Sequence, residues 1–168
     1  MKMSKLLFCV ALISFSICSY AGTSVTMIAD VPYAEGSRVK ANIRKECLKL
    51  GTKLASFTQE FSKKQNIDVQ LAESIDTSAS GRVLQLEITD AVSRGNAFIG
   101  HRKFVDVKGI LWEDGKKVAS FTATRVSGGG FAGGYKSSCA VLGRCVKAIG
   151  KDIASWLANP EDDVHLGD

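Results

Sequence analysis

Apolar residues recur along the chain with two periods, and each period predicts an element. Residues 23–31, TSVTMIADV, form a β-rich run ended by Pro32 and predict a first strand. From Gly36 to about Gln65, Val39, Ile43, Cys47, Leu50, Leu54, Phe57 and Phe61 return at steps of three and four. That spacing lays one apolar stripe along a long amphipathic helix, with Gly51 as its weak point. Ile67, Val69 and Leu71 alternate with polar neighbours as a second strand, and Leu84, Leu86 and Ile88 do so in a third. Between Phe104 and Val126, Asp114-Gly115 predicts a hairpin of two further strands. With those two residues as the loop, Leu111 faces Val118 and Lys108 faces Phe121. One face then carries Val105, Val107, Leu111 and Val118, and the other Phe104, Ile110, Trp112 and Phe121. One of the two packs on the helices, and the other reads either as mixed surface or as a partner or self-association face.

A last helix is expected from about Ser137 to Ala158, striped by Leu142, Cys145, Val146, Ile149, Ile153, Trp156 and Leu157 and stopped by Pro160. The order β-α-β-β-β-β-α predicts an α+β fold of two layers, a mostly antiparallel sheet with two helices packed on one face. No repeat or interdomain linker interrupts it, so residues 22–158 are expected as a single domain. Residues 159–168 follow as a frayed acidic C-terminal tail.

The one strongly apolar run lies before this pattern. Residues 1–21 combine two lysines, an apolar stretch from Leu6 to Ile17, and small Ser19 and Ala21 ahead of Gly22, which predicts a secretory signal peptide. The stretch is shorter than the roughly 20 apolar residues that cross a bilayer. After cleavage no transmembrane span is expected, and the protein works in the periplasm. Lipidation at Cys18 is the alternative, against which stands the poor lipobox of Phe15, Ser16 and Ile17.

Composition fits a globular domain, with 45% apolar and 23% charged residues and only two prolines among 168. Without residues 1–21 the charge is 20 basic against 17 acidic, or +3, too little and in the wrong compartment for nucleic acid. The basicity is local: residues 35–64 hold eight basic and three acidic side chains. Arg38, Lys45, Lys49 and Lys63 lie opposite the apolar stripe of the first helix, with Lys53 at its edge. Such a face suits anionic headgroups or cell-wall polymers, or is simply solvated.

Export also bears on the cysteines. Cys47, Cys139 and Cys145 remain, an odd number in a compartment where disulfides persist. Cys47 with Cys139 is the favoured bridge and Cys47 with Cys145 the alternative; Cys145 falls on an apolar stripe, where a thiol packs as a small hydrophobe.

Two segments could bind something. In Ser127 to Ser138, SGGGFAGGYKSS, the amides of Gly128, Gly129, Gly130, Gly133 and Gly134 precede a helix N-terminus beside Lys136 and Ser137, a setting for an anion. Tyr135 between Gly134 and Lys136 departs from a nucleotide P-loop, and a plain connection capped by Ser137 or Ser138 is the competing reading. In Arg94 to Lys103, RGNAFIGHRK, Arg94, His101 and Arg102 could hold a charged partner, or form an ordinary solvated loop. Catalytic patterns are missing: there is no serine elbow, no zinc spacing, and a catalytic pair would have to use His101, since His165 falls in the tail. No metal and no cofactor is expected.

Three segments, VPYAEGSRVKANIRKEC (31–47), GRVLQLEITDAVSRGNAFIGHRK (81–103) and GGGFAGGYKSSCAVLGRCVKAIGKDIASWL (128–157), resemble a family of small exported Gram-negative bacterial proteins whose domain has no assigned function. The resemblance implies a periplasmic or outer-membrane-associated location and a compact domain, and carries over no catalytic residue. The expectation is a non-enzymatic cell-envelope protein, a binding or assembly-support module for an envelope protein or cell-wall polymer. The alternatives are a small-molecule or anion receptor using the Gly-rich loop, and a small hydrolase using His101.

Overall fold

The computed structural model describes residues 24–94, 102–127 and 137–168. Its elements in chain order are β1 (Ser24–Ile28), α1 (Ala41–Glu46), α2 (Leu50–Lys63), β2 (Asp68–Ala72), β3 (Arg82–Arg94), β4 (Arg102–Glu113), β5 (Lys116–Ser127), α3 (Ser138–Ala158) and β6 (Val164–Gly167). They form an α+β fold: a six-stranded sheet in the order β2-β1-β3-β4-β5-β6 with the helices on one face. The long antiparallel ladders β3-β4 and β4-β5 make the centre. Short parallel pairings, β1 with β2 and β3 and β5 with β6, make the flanks. Both flanks are β-helix-β crossovers moving outward in opposite directions with helices on the same face. One of them therefore has the disfavoured hand.

Three helices replace the two expected. The stripe of Val39, Ile43, Cys47, Leu50 and Leu54 is buried throughout, but the chain breaks at Cys47–Lys49, where the Leu50 N–H turns back to the Cys47 carbonyl at 3.0 Å. Gly51 is not a weakness: a Cβ there would stand 2.2 Å from the Val31 carbonyl oxygen, so glycine lets α2 approach the chain leaving β1. Helices α2 and α3 run parallel, their contacts advancing together along both. Cys47 is bonded to Cys139 at their N-terminal ends, Lys53 meets Gly143, and Phe57 and Thr58 meet Gly150, where a Cβ would be 2.9 Å from each. Among the described residues no helix is long and apolar enough to cross a membrane.

The hairpin turn has Asp114 at φ 49° and Gly115 at φ 77°, the left-handed pair that a two-residue turn of this twist requires. Its register differs from expectation. Trp112 pairs with Lys117, but Leu111 pairs with Ala119, so Val118 is an extra, bulged residue. Every position beyond it changes face. Val118 is 45% exposed and Phe121 is 2% exposed, the reverse of the expected assignment. Phe121 lies over Gly109, where a Cβ would come within 2.2 Å of its ring, and meets Trp156 edge-on at 4.7 Å.

The C-terminal residues are also corrected. They keep their acidity but are not frayed: Val164–Gly167 pair with Phe121–Thr124. The acidic side chains belong to this pairing. Asp162 accepts from Ser120 Oγ at 2.6 Å and from Lys117 Nζ at 3.0 Å. Asp168 accepts from the Val126 N–H at 2.9 Å and from Arg125 Nη1 at 2.9 Å, while Arg125 also donates twice to Asp152 of α3, at 2.7 and 2.9 Å.

Candidate functional site

Of the residues singled out in the sequence, Gly128, Gly129, Gly130, Gly133, Gly134, Lys136 and His101 lie outside the described residues. Arg94 and Arg102 stand opposite each other in register where β3 ends and β4 begins. The flanks of both segments meet at one end of the molecule: Ser93 donates to Ser138 at 2.7 Å, and Lys103 pairs with Ser127. Ser137 is the N-cap of α3, its Oγ accepting from the Ala140 N–H at 3.2 Å. Its hydroxyl thus satisfies the helix rather than waiting for a ligand.

The described acid-base groups are mostly engaged in structure. His165 contacts Thr122 Oγ1 through Nδ1 at 3.0 Å and the Asp168 carbonyl through Nε2 at 3.1 Å. Hydrogen bonding to the charged form holds Asp162 and Asp168 below the ordinary carboxylate range, chiefly from Ser120 and from the Val126 amide respectively. Burial pushes the Cys145 thiol up to about 11, which makes it a poor nucleophile. Among the described residues no three His, Cys, Asp or Glu side chains gather where they could hold a metal ion.

Charge, by contrast, is sharply segregated. Residues 41–64 and 138–158 carry nine basic and three acidic side chains, a balance of +6. The rest of residues 22–168 carries eleven basic and fourteen acidic side chains, or −3. On α2 the outward stripe runs Lys49, Lys53, Ser56, Glu60, Lys63; on α3 it runs Ala140, Arg144, Lys147, Lys151, Ser155, all exposed. The parallel packing sets the two stripes side by side. Lys53 Nζ lies 3.7 Å from the point where a Gly143 Cβ would be, and Lys147 Nζ stands 5.5 Å from the centre of the Phe57 ring. Among the described residues Lys45, Lys49, Lys53, Lys63, Lys147 and Lys151 make no ion pair; Lys64 pairs with Glu60 at 3.3 Å. Beside them Leu48, in the turn between α1 and α2, is 75% exposed.

Sequence reasoning found half of this face. Lys45, Lys49, Lys53 and Lys63 were legible from the first helix, but the matching stripe on α3 was read only for its apolar side. The spacing of Arg144, Lys147 and Lys151, three and four residues apart, was the available signal. The outer face of the sheet, by contrast, exchanges apolar residues: Phe121 turns inward, while Val118 and Val126 are exposed at 45% and 40%. It carries half-buried Phe104, Ile110 and Trp112, the last donating to Gln85 at 3.1 Å, among Glu87, Lys108 and Thr122.

No protein-family model matches the chain, and no curated protein matches it in sequence. Solved structures do resemble it. The PelC dodecamer from Paraburkholderia phytofirmans is similar at 14% identity over 77% of this chain and 87% of that one, with a TM-score of 0.48. A minor lipoprotein from Acinetobacter baumannii is similar at 10% identity over 82% and 93%, TM-score 0.49. A lipoprotein from Neisseria meningitidis is similar at 15% identity over 79% and 99%, TM-score 0.45. With these TM-scores below 0.5, function has to be read from the chain's own surfaces.

Proposed function

We propose that the protein is an exported, non-enzymatic binding module of the bacterial cell envelope that attaches to an anionic envelope component through the outer face of α2 and α3. The observation that carries this reading is the set of six exposed lysines without ion pairs among the described residues, on a layer of charge +6 backed by a remainder of −3. Like charges held together at a surface raise the energy of the isolated protein, and an anionic partner relieves that repulsion. The sequence contributes the export signal in residues 1–21, and the periplasm is the compartment it implies.

The reading is tested by photo-crosslinking inside the envelope, with the crosslinking residue placed at Ser56 or Ser155 on the helix face and at Gln70 or Lys116 on the sheet. Adducts from the two helix positions alone are the expected result. Equal adducts from the sheet positions, or none from the helices, overturn it.

A second reading, an anion receptor formed by the Gly-rich segment with Lys136 and Arg102, is favoured by the convergence of the flanking residues at one end of the sheet. On that reading phosphate raises Tm, and Lys136→Ala with Arg102→Ala removes the rise. An unchanged Tm across phosphate and carboxylate ligands overturns it.

A further inference from the structure

We propose that the anionic component is the phospholipid headgroup surface of a bilayer, met face-on by α2 and α3 with Leu48 entering the interface. This rests on the binding-module reading above and names its partner. The first argument is the charge distribution. A molecule with +6 on its helix layer and −3 elsewhere is oriented by a negative plane, whereas its small net charge would give only weak attraction to a point anion.

The second argument is shape. The helices approach closely at Gly143 and Gly150, with Lys53 and Lys147 over the seam and an open recess lined by Leu48, Lys49, Lys53 and Cys139 at their N-terminal ends. Along the seam the surface is therefore a pair of lysine stripes. A polymer chain recognised specifically calls for forked donors, whereas lysines are compact point charges that respond to charge density.

The third argument is the placement of Leu48. At 75% exposure it is the most exposed large apolar side chain among the described residues, and its chain neighbourhood contains Lys45, Lys49 and Lys53 along with Glu46. An apolar side chain beside cations pays a hydration cost in water and recovers it where headgroups meet acyl chains. Phe57 and Phe61 add half-buried apolar surface beneath Lys147 and Lys64. On the sheet side Val118 and Val126 are less exposed, at 45% and 40%, and their basic neighbours Lys117 and Arg125 are paired with acids.

The test is vesicle flotation of protein recovered from the exported fraction, reading only the binding that salt removes. Phosphatidylglycerol vesicles should bind and phosphatidylcholine vesicles should not, and the binding should vanish as the Debye length falls to about 3 Å near 1 M salt. Lys49→Gln, Lys53→Gln, Lys147→Gln and Lys151→Gln should each lower partitioning about fivefold. Leu48→Ser should lower it about tenfold without altering the salt slope. Lys108→Gln and Lys116→Gln should leave it unchanged, and every variant should keep its Tm. Equal salt-removable binding to both lipids, or equal losses from helix and sheet variants, overturns the proposal. Binding to soluble polyglutamate but not to vesicles overturns it and leaves the binding-module reading standing; binding to neither, with no crosslinks in the envelope, removes both.

Discussion

At the C-terminal edge, Arg125 joins β5 to Asp152 of α3 and Asp168 beyond β6, and Lys117 holds Asp162. Across the outer face of the helix layer, from α1 to α3, six lysines stand without an acidic partner among the described residues. The same side-chain chemistry therefore does opposite things in the two regions. At the edge, charge closes the structure by holding a four-residue strand that buries little. In the helix layer, charge works against the structure, and the layer is kept together by the Cys47–Cys139 bridge and by the close packing of Phe57 and Thr58 on Gly150. Charge retained against its own repulsion points outward, to something the isolated molecule lacks.

The comparison can be broken most strongly at the bridge. Replacing Cys47 and Cys139 by Ala removes a link between positions 92 residues apart and should destabilise by up to about 4–5 kcal/mol in the chain-entropy model. If the lysines repel as argued, denaturation at low salt should show a larger loss than at high salt. An equal loss would mean that the layer is not under electrostatic tension.

Arg125→Ala should cost less, about 1–2 kcal/mol, since the guanidinium is partly exposed and bonded to two carboxylates. Its signature is local. Amide exchange at Val164–Gly167 should speed up while that of α2 stays unchanged, and raising salt should loosen β6 in the wild type even as it steadies the helix layer. Salt effects of the same sign in both regions would contradict the contrast.

Of the two regions, acid should act on the edge. The carboxyls of Asp162 and Asp168 titrate below their ordinary value in the folded protein, so the unfolded chain takes up protons first. Their contribution is complete above the ordinary carboxylate pKa of about 3.9 and is lost as pH falls through the depressed folded values. Exchange at β6 followed across that window checks the sign; protection that rises on acidification refutes it. The smallest effect belongs to the lysines: Lys147→Glu should leave stability within about 0.5 kcal/mol of wild type, on the stabilising side. A clear destabilisation would show that Lys147 serves the fold, through Phe57, rather than a partner.

Much of the fold was legible. The stripes of α2 and α3, the alternation in β2 and β3, and the Asp114-Gly115 turn are local patterns whose periods follow from backbone geometry alone. The errors have local and non-local causes. One bulged residue, Val118, sent Phe121 to the core, because a single extra residue inverts the faces beyond it and no pattern in a run apolar on both sides marks it. The C-terminal strand was missed because acidity at a chain end usually means solvation, whereas here Lys117 and Arg125 arrive from another strand to neutralise it. The candidate site was half visible, since each lysine stripe obeys the helical repeat within its own segment.

By itself, then, the sequence determined most of the element types, the sheet-and-helix layering and the excess of base in the first helix. Only the tertiary structure decided that α2 and α3 lie parallel and adjacent, turning two modest stripes into one cationic face, and that the acids gather elsewhere. Periodicity fixes which side of an element is polar; the neighbour that shares that side is set by packing between segments some ninety residues apart, as the 92-residue span of the Cys47–Cys139 bridge records.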